Sequence, residues 1–169
     1  MPGTKVAIII GSDSDWPVME ACREQLLELG VDCDVEIMSA HRTPEKVHEF
    51  ARTVRERGIE VIVAAAGLAA ALAGTLAALT TRPVIGVPLD TGPLRGVDAL
   101  LSTVQMPPGV PVATVGIGKA GARNAAVLAA QILALHDPVL DEALKKFKRK
   151  QAETVDKKNQ ALRERLTRG

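Results

Sequence analysis

Short apolar runs recur along the chain with longer mixed segments between them, and this alternation predicts an α/β fold. Val6–Ile10, Val35–Met38, Val61–Ala65, Val84–Val87 and Val112–Val115 read as strands. Helices are predicted over Pro17–Leu29, Pro44–Arg57, Ala69–Leu79, Val97–Ser102, Ala122–Leu135 and Val139–Arg165. Strand, helix, strand spacing of this kind means parallel pairing through crossover helices. The expectation is a doubly wound, parallel five-stranded sheet in three layers, with an extended C-terminal helix. Local punctuation agrees: Gly30 and Gly58 close the first two helices, Thr43 caps the second with Pro44 in its first turn, and Asp137-Pro138 separates the last two.

Most of these strands are apolar throughout, as strands covered on both faces should be. Val31-Asp-Cys-Asp-Val-Glu-Ile37 alternates instead, which places the second strand near an edge. The Ala69–Leu79 helix is apolar all round and needs cover on more sides than one sheet face provides, so a subunit interface is expected there. The stretch Val61 to Leu79 approaches membrane-spanning length, but Gly67, Gly74 and the abundance of Ala suit a buried strand, turn and helix better. No membrane partner is expected.

Composition narrows this picture. The 169 residues fit one domain, 1–169, in which 139–169 is a helical extension expected to pack on a neighbouring subunit. The core must be aliphatic, because Tyr is absent and Trp16, Phe50 and Phe147 are the only aromatic residues. A net charge of +1 argues against a dedicated nucleic-acid binder. From Asp141 onward ten Lys or Arg face five Asp or Glu, and the interrupting acids suit a solvated helical face better than an RNA- or membrane-binding arm. Cys22 and Cys33 have no metal-site spacing and read as reduced structural thiols, which makes a cytoplasmic location the default. The Lys5–Ile10 run is too short for a signal peptide.

In a doubly wound sheet, ligands gather outside the carboxyl ends of the strands. The first such loop, Gly11-Ser12-Asp13-Ser14-Asp15, turns from strand into helix and presents amides and hydroxyls at a positive helix end, suited to phosphate. Judged alone, it is also compatible with Ser14 or Asp15 acting only as an N-cap. The second loop, Ser39-Ala40-His41-Arg42-Thr43-Pro44, sets a hydroxyl, an imidazole and a guanidinium together before another helix. Arg42 can grip phosphate with its forked donors and Ser39 can add a hydrogen bond. A phosphate would repel Asp15, whose better partners are ribose hydroxyls. His41 is left for proton transfer, its ordinary pKa lying near neutrality, against the plainer reading of a capping or core histidine. His48 and His136 read as structural or exposed. The third loop, Ala64 to Gly74, offers amides and small apolar walls that suit a flat ring or a neutral gas, although close helix packing accounts for most of it. The loops Pro88–Leu94 and Gln105–Gly109 are candidates to complete the pocket.

Taken together, Gly11-Ser-Asp-Ser-Asp-Trp16, Ser39-Ala-His-Arg-Thr-Pro44, Gln105-Met-Pro107, Gly109-Val-Pro-Val112, Gly118-Lys-Ala-Gly121 through Asn124-Ala125, and Ala129-Ala-Gln-Ile-Leu133 closely resemble the N5-carboxyaminoimidazole ribonucleotide mutase family (PurE, class I). The likeness spans nearly the whole chain and implies a flavodoxin-like fold and a step of purine biosynthesis. In that step a carboxylate moves from the exocyclic nitrogen of aminoimidazole ribonucleotide to ring carbon 4, without cofactor or metal. By resemblance Ser12, Asp15 and Arg42 bind the ribonucleotide, Ser14 and Ser39 assist, Gly67, Leu68 and Ala69 line the site, and His41 is the catalytic acid and base. A homo-octamer with sites near subunit contacts is also implied. The third loop departs from the family's Gly-Gly-Ala-Ala-His-Leu-Pro-Gly run, because Leu68, Ala71 and Ala73 stand where Gly, His and Pro are usual. The rival readings are a carboxylase that joins free carbon dioxide to aminoimidazole ribonucleotide, a non-catalytic nucleotide-binding module, and an RNA-binding scaffold using the basic tail.

Overall fold

A computed structural model describes residues 4–167; the first three and last two residues of the expected 1–169 domain lie outside it. Five strands alternate with six helices: β1 Val6–Ile10, α1 Trp16–Glu28, β2 Cys33–Ile37, α2 Pro44–Thr53, β3 Val61–Ala66, α3 Leu72–Leu79, β4 Val84–Pro88, α4 Val97–Val104, β5 Ala113–Thr114, α5 Gly118–Ala134 and α6 Pro138–Thr167. The strands pair in parallel in the order β2-β1-β3-β4-β5, so the winding reverses between β1 and β3. Val6 lies opposite Cys33 on one side and Val61 on the other.

Alternate residues of the central strands feed two cores. Val6, Ile8 and Ile10 join Val61, Val63, Ile85 and Val87 beneath Met19, Cys22 and Leu26 of α1 and the row Ala122, Ala125, Ala126, Ala129 and Ala130 of α5. Ala7, Ile9, Ile62, Ala64 and Val84 meet Val47, Phe50 and Ala51 of α2 and Leu72, Ala73 and Leu76 of α3 on the opposite face. The alanine row lets α5 lie close to the sheet and to α1, so aliphatic side chains fill the interior without aromatic bulk. Each fully buried Ile or Leu contributes about 1.5–3 kcal/mol by leaving water.

β2 is an edge strand, as its alternation predicts, and Arg57 covers its outer side by pairing with Glu36 and lying 5.0 Å from the Phe50 ring centroid. Gly30 and Gly58 follow the first two helices with φ of +80° and +79°. Thr43 stands at the N-cap of α2, as expected, but its side chain makes no bond to the helix. Its hydroxyl accepts from the Ser39 amide at 2.9 Å and points toward the Ser39 carbonyl at 3.2 Å, tying the preceding loop instead of the helix end. Asp137 does cap α6, its Oδ1 accepting from the amides of Val139 and Leu140, both at 3.1 Å.

Three boundaries move by three residues or more. α2 stops at Thr53, short of the expected Arg57, and the chain turns before Gly58. α3 begins at Leu72 and not at Ala69, the chain bending at Leu68, whose φ is a left-handed 55°, and at Ala69 before it enters the helix. α5 begins at Gly118, four residues before the expected Ala122. Among the described residues no helix is long and apolar enough to cross a membrane.

Candidate active site

The loops that follow β1, β2, β3 and β4 border one cleft of about 510 Å³ at the carboxyl edge of the sheet. All nine residues singled out in the sequence line it: Ser12, Ser14 and Asp15 from the first loop, Ser39, His41 and Arg42 from the second, Gly67, Leu68 and Ala69 from the third.

The first loop is organised as a single 3₁₀ turn, Asp13–Asp15, with Ser12 as its N-cap, and Asp15 in turn stands at the N-cap position of α1 without a side-chain bond to that helix. The Ser12 hydroxyl accepts from the Ser14 amide at 3.4 Å, while Asp15 Oδ2 accepts from the Ser12 amide at 3.0 Å, a reciprocal capping box. The Ser12 and Ser14 hydroxyls lie 3.0 Å apart, a pair of small donors beside the amides that open α1. Asp15 is only 7% exposed. Burial is the largest influence on its carboxyl and lifts the pKa above the ordinary 3.8, although hydrogen bonds from the backbone of Ser12 and Gly11 and the charge of Arg42 pull the other way.

The second loop is tied to the first by Arg42, whose Nη2 donates to the Gly11 carbonyl at 2.7 Å. One arm of the guanidinium is thus held at the mouth of the first loop, and Arg42 borders the cleft. The Arg42 amide donates to Ser39 Oγ at 3.2 Å, which sets that hydroxyl within the turn. His41 lies between these two residues and is exposed, with access to a ligand in the cleft. His48 and His136 are exposed as well and border no part of the cleft. Among the described residues no three His, Cys, Asp or Glu side chains group together as metal ligands would.

The third loop supplies the apolar wall, and its shape depends on a residue from the loop after β4. A Cβ on Gly67 would lie 1.7 Å from Thr91 Oγ1, so only glycine fits beneath that side chain. A Cβ on Gly92 would lie 2.4 Å from Leu68 Cδ2, so Leu68 in turn covers Gly92. Leu68 is 52% exposed and strained, since a left-handed backbone costs a residue with a Cβ roughly 1 kcal/mol or more. Glycine would take the same backbone geometry without that cost. Thr91 borders the cleft and no sequence feature marked it individually; the Pro88–Leu94 loop as a whole carried the only signal. Gln105–Gly109 does not line the cleft: Met106 lies against α3, its Sδ 3.0 Å from where a Cβ on Gly74 would be.

Two hydroxyls, loop amides and a guanidinium make an anion grip; a buried carboxylate offers acceptors to sugar hydroxyls; an exposed imidazole can exchange protons; and a small apolar wall suits a ring or an uncharged gas. Residues 5–154 match the family model described as AIR carboxylase. The N5-carboxyaminoimidazole ribonucleotide mutase of Pyrococcus abyssi is 59% identical over 144 residues, covering 85% of this chain and 82% of the relative. That of Synechocystis is 53% identical over 165 residues, covering 98% and 92%, and that of Escherichia coli K12 is 52% identical over 151 residues, covering 89% of each. The crystal structure of Treponema denticola PurE is similar in fold, with a TM-score of 0.84 at 27% identity over 93% of this chain and 97% of that one.

Proposed function

The chain belongs to the AIR carboxylase family and has the mutase activity of its curated relatives, an isomerase step of purine biosynthesis, and from that premise we propose how its own residues perform it. The convergence of Ser12, Asp15, His41 and Arg42 on one cleft carries the assignment.

The substrate is a ribonucleotide whose phosphate is held by Ser12, Ser14, Ser39 and Arg42 and whose ribose hydroxyls donate to Asp15. Gly67, Leu68 and Ala69 face its heterocycle. His41 starts protonated and gives its proton to the carbamate nitrogen, so the nitrogen–carbon bond breaks and carbon dioxide leaves an electron-rich aminoimidazole. Carbon 4 then attacks the same carbon dioxide, and His41 recovers a proton from that carbon. One imidazole serves both steps because the second restores what the first consumed, and the cycle calls for no cofactor. Keeping carbon dioxide against the ring replaces a diffusive encounter by an intramolecular one, which is the contribution of the small apolar wall. The chain works in the cytoplasm as a homo-octamer, a single domain whose α6 extension packs on a neighbouring copy.

Purified protein should convert N5-carboxyaminoimidazole ribonucleotide without added bicarbonate, and His41→Asn should lower kcat by about 10²- to 10⁴-fold while ribonucleotide binding stays near wild type. Turnover of aminoimidazole ribonucleotide only when carbon dioxide is supplied would replace the mutase by the direct carboxylase. Normal turnover by the His41 variant would remove that residue from the mechanism.

A further inference from the structure

We propose that Thr91 is a further substrate-contacting residue, its hydroxyl holding the migrating carboxylate at the end of the cleft formed by the loops after β3 and β4. This role rests on the reading of the cleft given above. Along the sheet edge the bordering loops follow β2, β1, β3 and β4 in spatial order. Neighbouring strands lie about 4.8 Å apart, so the cleft runs about 14 Å from the loop of Arg42 to the loop of Thr91. A ribonucleotide with its phosphate at Ser12 and Arg42 therefore sends its heterocycle toward Gly67 and Thr91.

At that end the wall consists of Ala66, Gly67, Leu68 and Ala69, none of which has a side chain able to hydrogen-bond, and Thr91 is the polar side chain beside them. Its place is fixed from two directions. Its Oγ1 fills the space a Cβ would take on Gly67, and Leu68 reaches back over Gly92, so the two loops interlock through a pair of glycines. Thr75, Thr103 and Thr114 use their hydroxyls on backbone carbonyls, whereas among the described residues the Thr91 hydroxyl has no such bond. An exposed hydroxyl seated over Gly67 in an otherwise apolar wall suits a group that is a carboxylate before and after transfer and neutral carbon dioxide between. A neutral donor can bind each form without the strong electrostatic trap that a cation would set for the charged ones.

The test compares steady-state kinetics of the intact wild-type chain, Thr91→Ser and Thr91→Val with N5-carboxyaminoimidazole ribonucleotide, together with the free aminoimidazole ribonucleotide released per turnover. Thr91→Val keeps the shape and removes the hydroxyl; it should lower kcat/KM about 10-fold and raise the released fraction, while Thr91→Ser stays within about threefold of wild type. Wild-type kinetics for Thr91→Val, or equal losses in both variants, would overturn the proposal, the second outcome leaving Thr91 a packing residue only. A wild-type chain without turnover would overturn both this role and the mutase mechanism, and so is distinguishable from failure at Thr91 alone.

Discussion

Asp15 shows at single-residue scale how a site can oppose stability. It lies in the capping box and is proposed to receive ribose hydroxyls, yet burial disfavours its charged form more than the neighbouring amides and Arg42 favour it, so its carboxyl stays above the ordinary 3.8. A folded-state pKa raised above the unfolded one means that the native chain binds the proton more tightly. Asp15 thus contributes stability that is present below pH 3.8 and is lost as the pH rises through its higher folded value. Asp15→Asn keeps an acceptor for the Ser12 amide without the buried charge. Near pH 7 it should unfold at a higher urea concentration than wild type, the gap closing toward acid, while KM for the ribonucleotide rises. A lower midpoint at neutral pH would contradict this account. That Ser12, Asp15, His41 and Arg42 would border one cleft was legible in the sequence because each lies within a few residues of a strand end, where local order already determines what the loop presents. Thr91 was not, since a lone hydroxyl in a Pro- and Gly-shaped loop acquires its place only from Gly67, 24 positions earlier.

At the scale of elements, α5 carries the clearest lesson. Its expected start at Ala122 follows from the glycines before it, which lower helix propensity. The helix nonetheless begins at Gly118, with φ of +72°, and its first turn presses on the preceding loop so closely that a Cβ on Gly121 would lie 1.5 Å from the Gly116 carbonyl oxygen. Backbone cannot yield there as a flexible side chain would. Gly121→Ala should therefore cost about 2–3 kcal/mol, read as a lower midpoint in urea unfolding. A variant as stable as wild type would show that α5 can shift without loss. Ahead of α3, Leu68 takes a left-handed backbone and covers Gly92, and the helix opens only at Leu72. Propensity is local; the contact at the start of α3 reaches from Leu68 to Gly92, 24 positions on, whereas the one at the start of α5 joins Gly121 to Gly116, five positions apart.

For the whole molecule, the open question is what the last helix does. Leu140 and Leu144 of α6 are buried against the body, and Lys150 pairs with Glu28 at 3.1 Å, but every residue from Gln151 to Thr167 is exposed, Val155, Leu162 and Leu166 among them. Those 17 residues extend about 26 Å at 1.5 Å each without the tertiary packing from which a helix draws most of its stability. Neighbouring copies are the proposed support. Light scattering should give eight times the chain mass, and truncation after Gln151 should reduce it; a stable monomer would contradict the octamer. By itself the sequence determined the α/β class, the parallel five-stranded sheet, the edge position of β2 and the two polar loops with His41, because apolar periodicity and Gly and Pro punctuation act over short stretches of chain. Only the tertiary structure decided that Met106 packs on α3 and that Leu68 and Thr91 interlock two loops into one wall. The reason is physical: those features arise where residues remote in sequence compete for the same few ångströms, and no local pattern records the outcome.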